Sequence, residues 1–140
     1  MKDEHYRFVE KCLYNYRPNS IQYEKLKDKL TSLISVRGHN YEAHVPNVTS
    51  DPVADVAHNR IKLEKRINEL ERYITPVNNL CYDLKHVYSG MHQCLKILQM
   101  KYFRHDNMNS ILRELHISQP TYWRRTQELI RLAKHYFGLD

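Results

Sequence analysis

Ile111-Leu112-Arg113-Glu114-Leu115-His116-Ile117-Ser118-Gln119-Pro120-Thr121-Tyr122-Trp123-Arg124-Arg125 reads as the end of one helix, a tight turn and the start of another. Ile111, Leu112 and Leu115 recur at helical spacing behind Asn109 or Ser110 as a cap, which predicts a short helix over Ser110–His116. His116, Ile117 and Ser118 make the turn, with Ile117 expected as a buried plug and Ser118 as the cap of a helix running from Gln119 to about Phe137. Pro120 suits that helix start, since its missing amide has no intrahelical partner there and its fixed φ is already helical. Tyr122, Leu129, Leu132 or Ala133, and Tyr136 or Phe137 fall near one face and are expected to pack.

A short helix, a turn with a buried aliphatic and a longer basic helix are the parts of a helix-turn-helix, whose second helix enters the major groove of DNA. The polar side of the last helix holds Gln119, Thr121, Arg124, Arg125, Glu128 and Arg131. Gln119 and Arg124 are the expected base readers, because glutamine at adenine and arginine at guanine make bidentate hydrogen bonds. Thr121 is placed to touch a base, a thymine methyl or a phosphate, and Arg125 and Arg131 to clamp phosphates. Ser118 and Lys134 complete the candidate DNA-binding set, with Lys134 and Lys101 adding unspecific attraction. Trp123 has two readings: packing beneath the neighbouring helix, the commoner fate of an indole, or leaning on the sugar–phosphate backbone.

Upstream, Tyr6, Val9, Leu13 and Tyr16 step by three and four, which predicts an amphipathic helix over Asp3–Arg17 ended by Pro18. A second helix, capped by Ser20, carries Tyr23, Leu26, Leu30 and Leu33 to about Ser35 and closes a hairpin over residues 3–35. Residues 36–50 lose the period and gather Gly38, Asn40, Pro46, Asn47, Thr49 and Ser50, the composition of an exposed connection. Asp51-Pro52 then opens a long run of Val53, Val56, Arg60, Leu63, Ile67, Leu70, Ile74, Val77, Cys81, Leu84, Tyr88, Met91, Leu95, Leu98 and Tyr102, spaced alternately by three and four. Pro76 and Ser89-Gly90 are expected to cut this run into three helices. The apolar seam over residues 53–102 either packs within the chain or joins two copies as a homodimer. The expected division is a helical region over 1–88, with long helices at 51–88, and a DNA-binding domain over 89–140.

Composition narrows the classes. Only three glycines occur among 140 residues, and Leu, Lys, Glu and Arg recur, so the fold class expected is all-α. The net charge is +6, and Lys101–Asp140 concentrates it, with seven basic residues against four acidic. No apolar run spans a membrane, and the charged start at Met1-Lys2-Asp3-Glu4 is unlike a signal peptide, so neither a membrane partner nor export is expected. Cys12, Cys81 and Cys94 are widely spaced and read as reduced packing residues. His92 and Cys94 form no tetrahedral set with a second pair, so no metal or other cofactor is expected. Catalysis is not expected either: there is no phosphate loop, nucleophile elbow or HExxH, and Glu64, Glu69 and Glu71 lie among Lys65, Arg66 and Arg72 as a solvated face.

The layout of Leu95–Tyr102, Ile111–Ser118 and Thr121–Arg125 resembles region four of sigma factors, and resembles more closely the RinA/ArpU family of phage transcriptional regulators. The likeness covers the C-terminal forty-five residues or so, and the rest in layout only; the chain departs from the sigma pattern at Pro120. It implies a sequence-specific regulator that binds promoter or operator duplex DNA in the bacterial cytoplasm and activates phage late genes with host RNA polymerase. It also implies that the DNA-contacting helix is Ser118–Lys134. The alternative is a small terminase subunit or similar packaging factor, which also couples such a motif to helical oligomerisation segments.

Overall fold

In the computed structural model, which describes residues 3–40 and 52–139, the protein is all-α, with no strand among the described residues. Helix α1 spans Glu4–Tyr14, α2 Tyr16–Asn40, α3 Pro52–His86 and α4 His92–Ile97. A π-helical turn, Leu98–Phe103, continues α4, and α5 (Met108–Leu115) and α6 (Gln119–Tyr136) follow. No helix among the described residues is long and apolar enough to cross a membrane. The expected cap at Asp51 and the part of the connection over 41–50 lie outside the described residues.

Proline behaves differently from the sequence expectation at both places where it was expected to end a helix. Pro18 lies inside the first turn of α2, and the break falls upstream, at Asn15. A proline ring clashes with the carbonyl four residues back, which here is Tyr14, the last residue of α1. The second helix therefore begins at Tyr16 without Ser20 as its cap, and it continues to Asn40 rather than stopping near Ser35. Pro76 lies within α3 and does not cut it. Ile74, Val77 and Leu80 flank it at 4%, 0% and 0% exposure, and burying three such side chains outweighs the roughly 3 kcal/mol that an interior proline costs. The expected break at Ser89-Gly90 is present, with Gly90 at φ +79°, a value that side-chain-bearing residues adopt at a cost.

The chain divides by its contacts into two units, Met1–Asn19 with Tyr73–Asp140, and Ser20–Arg72. In the second unit α2 and α3 lie side by side. The Tyr23 hydroxyl donates to Glu71 Oε1 at 2.7 Å and Arg66 donates to Gln22 Oε1 at 3.3 Å, with Ile67 and Leu70 buried.

In the first unit Val9 and Leu13 of α1 join Val77, Leu80 and Leu84 of α3 in a core completed by residues of α4, the π turn, α5 and α6. Helix α1 packs on α6 and on the π turn, and α4 packs on α6. The π turn gives Leu98, Met100, Lys101 and Tyr102 buried positions, closer together than an α-helical stripe allows. Of the apolar seam, Ile67, Leu70, Ile74, Val77, Leu84, Leu95, Leu98 and Tyr102 are buried within the single chain.

Candidate nucleic-acid interface

Two caps set the region around the α5–α6 turn. Asn107, rather than Asn109 or Ser110, caps α5, its Oδ1 accepting the Ser110 amide at 2.8 Å, so the helix begins two residues earlier than the spacing suggested. α5 ends at His116, which adopts the left-handed conformation at φ 55°. Its backbone amide then reaches the Leu112 carbonyl, an arrangement usually given to glycine. Ile117 is half-buried against the core rather than fully enclosed. Ser118 caps α6 as expected: its Oγ accepts the Thr121 amide at 3.3 Å and donates to Thr121 Oγ1 at 3.0 Å.

Tyr122, Thr126, Leu129, Ile130 and Ala133 form the buried side of α6. Thr126 is the unexpected member, a hydroxyl satisfied by donating to the Tyr122 carbonyl at 2.8 Å. The opposite side carries Arg124, Gln127 and Arg131 at steps of three and four, all exposed, and Gln119 is exposed at the N-terminal end. None of these four side chains has a hydrogen bond or ion pair to a described residue. Gln127 is absent from the sequence-derived set, although its place between Arg124 and Arg131 follows from helical spacing alone. The first turn of α6 holds no acidic residue, so beyond the Ser118 cap no carboxylate of that turn offsets the positive end of its dipole.

The remaining candidates are engaged within the protein. Arg125 donates to Gln93 Oε1 at 3.1 Å and pairs with Glu128 at 3.0 Å, both partners about a third exposed. Glu128 is therefore the carboxylate that holds Arg125 in place. Lys134 pairs with Asp3 at 3.1 Å, joining α6 to the cap of α1. That ammonium and the Tyr6 amide, the larger influence, hold the Asp3 carboxyl below its ordinary pKa.

Lys101, expected to add unspecific attraction, is buried beside a carboxylate instead. Only 9% exposed, its Nζ lies 5.2 Å from the Tyr102 ring centroid, 5.3 Å from those of Tyr122 and Trp123, and 3.9 Å from Glu10 Oε2. Glu10 also accepts the Tyr102 hydroxyl at 2.8 Å. Burial first, then the Glu10 charge, raises the Tyr102 pKa far above the phenol range. Trp123 is 42% exposed, so it is not the core residue that its type suggested; Tyr122 takes that place, edge-on to the indole at 5.0 Å.

Cys94 is buried with its Sγ 3.6 Å from the Arg125 carbonyl, while His92 is exposed, so the two residues face different surroundings. Burial pushes the thiols of Cys12, Cys81 and Cys94 each up to about 11. No protein-family model, curated protein or solved structure matches this chain.

Proposed function

We propose that this protein binds duplex DNA in a sequence-specific way by laying the exposed side of α6 in the major groove, and that it regulates transcription rather than catalysing a reaction. The observation that carries the reading is the line of exposed donors Arg124, Gln127 and Arg131, with Gln119 exposed at the helix tip, none of them paired with a described residue, on a helix whose other side is fixed in the core. Pairing such exposed groups within the fold would gain little, and a row kept free on a rigid element is what a polyanion with hydrogen-bonding edges would use. Gln119 and Arg124, nearest the N-terminal end, read bases; Arg131 neutralises a phosphate. Ser118 and Thr121 set the helix start, and Arg125, held by Glu128, borders the groove.

The finer reading, an activator of phage late genes that works with host RNA polymerase in the bacterial cytoplasm, rests on the resemblance of Leu95–Arg125 to sigma region four and, more closely, to the RinA/ArpU family of phage regulators. Burial of eight seam residues between Ile67 and Tyr102 inside one chain, with Tyr88 exposed, favours a single-copy reader over a packaging ring or a homodimer built on those eight. Titration of labelled duplexes tests the division of roles. Arg124→Ala is expected to cost about 1–3 kcal/mol on the preferred sequence and little on a random one. Arg131→Ala is expected to weaken both alike and to reduce the salt slope by about one. Equal losses on both duplexes for Arg124→Ala would remove it from base reading.

A further inference from the structure

Trp123 is an exposed indole on the same helix as Arg124 and Arg131. Its ring is nevertheless held, edge-on to Tyr122 at 5.0 Å and with the Lys101 ammonium 5.3 Å from its centroid. Its Nε1–H donates to no described residue. A fixed aromatic surface, a free donor and a cation behind the ring occur together at one point of the surface.

The helix geometry says which part of a duplex that point would meet. At about 100° per residue, Trp123 lies about a quarter-turn from Arg124 and Arg131, on the side of Lys134 and of Gln119, which stands at the helix tip. A helix about 10–12 Å across fills a major groove about 12 Å wide, so beyond the tip a side chain a quarter-turn from Arg124 faces the groove wall. That wall is deoxyribose and phosphate. Deoxyribose offers an apolar surface to the ring and phosphate an acceptor to the indole N–H.

We propose that Trp123 is a sequence-independent anchor, its ring on deoxyribose and its Nε1–H donating to a phosphate oxygen, which seats α6 against one wall of the groove. This rests on the reading of α6 as the DNA-binding helix. Lys101, itself beside Glu10, acts from behind as a positioning residue that holds the ring. The contact differs from that of a surface arginine in one measurable way: an indole releases no counterion, so it adds affinity without adding to the salt slope.

Trp123 is the chain's only tryptophan, so its emission reports on this one contact in the unmodified protein. With duplex binding followed separately by the anisotropy of a labelled DNA, the indole emission is expected to change in step with binding on preferred and random duplexes alike. Trp123→Phe keeps a ring but loses the donor, and is expected to bind both duplexes about tenfold more weakly at an unchanged salt slope. Saturating DNA that leaves the emission unchanged would overturn the anchor while leaving DNA binding intact. So would a Trp123→Phe loss confined to the preferred sequence, which would make Trp123 a base reader. If the labelled duplexes do not bind the unmodified protein at all, the DNA reading itself fails and the anchor fails with it.

Discussion

Arg124 and Arg125 are adjacent in sequence and differ in everything that matters for binding. One is exposed without a partner among the described residues, and the other is held by Gln93 and Glu128. The sequence separates them in part, since neighbouring helical positions diverge by about 100°; the partner at Gln93, 32 positions away, is supplied only by folding. The same distinction explains which residues were legible. Ser118 as a cap, Gln119 and Arg124 as exposed donors and Tyr122 as a packed residue follow from local spacing. Lys101 and Trp123 do not, because Lys101 is set by Glu10, far away in sequence on α1, and Trp123 by Lys101 on the π turn.

Buried phenols give the residue scale a pH test. Burial, reinforced by Glu10, raises Tyr6 to about 12 and raises Tyr14, Tyr102 and Tyr122 as well. A phenol whose folded pKa lies above its unfolded value of about 10 contributes fully below that pH, and the contribution disappears as pH rises through the folded value. Thermal melts followed by circular dichroism are expected to show falling stability from about pH 10 upward, and Tyr102→Phe is expected to flatten that fall. An equally steep fall in the variant would assign the effect to other groups.

At the scale of elements, the helical periodicity was easy to see and the helix ends were not. Proline marks a clash at a distance of four residues, so Pro18 breaks the chain at Asn15 and lies inside the helix that follows. Pro76 fails to break α3 because core side chains on both sides of it outweigh the lost hydrogen bond. Pro76→Ala is therefore expected to stabilise the protein by about 1–3 kcal/mol in chemical denaturation, since the restored amide gains an acceptor at Arg72. The left-handed His116 offers a second test. A residue with a side chain costs about 1 kcal/mol or more in that conformation, so His116→Gly is expected to raise the melting temperature without moving the α5–α6 turn. A lower melting temperature would show that the imidazole contributes more than the strain it brings. The π turn at Leu98–Phe103 left no mark that periodicity could detect, because Leu95, Leu98 and Tyr102 keep the spacing of three and four through it.

At the scale of the molecule, the candidate interface depends on residues far from it in sequence. Val9 and Leu13 of α1 and Val77, Leu80 and Leu84 of α3 lie in the same core as Leu129, Ile130 and Ala133 of α6. A fragment of residues 90–140 is thus expected to be largely unfolded by circular dichroism, despite containing every candidate contact to DNA. Leu70, 1% exposed in the other unit, is expected to tolerate Asp poorly, with a loss of more than about 3 kcal/mol. The all-α class was legible from composition, as was the existence of a final basic helix; the joining of α1 to it was not, because periodicity shows that a helix has a buried face but not what covers it. Selection of bound duplexes from a random pool, run in parallel with the unmodified protein and Arg124→Ala, tests the central claim most directly. The account predicts a short enriched sequence for the unmodified protein and relaxed preference at one position, most naturally a guanine, for the variant. Recovery of the unenriched starting pool by the unmodified protein would contradict it.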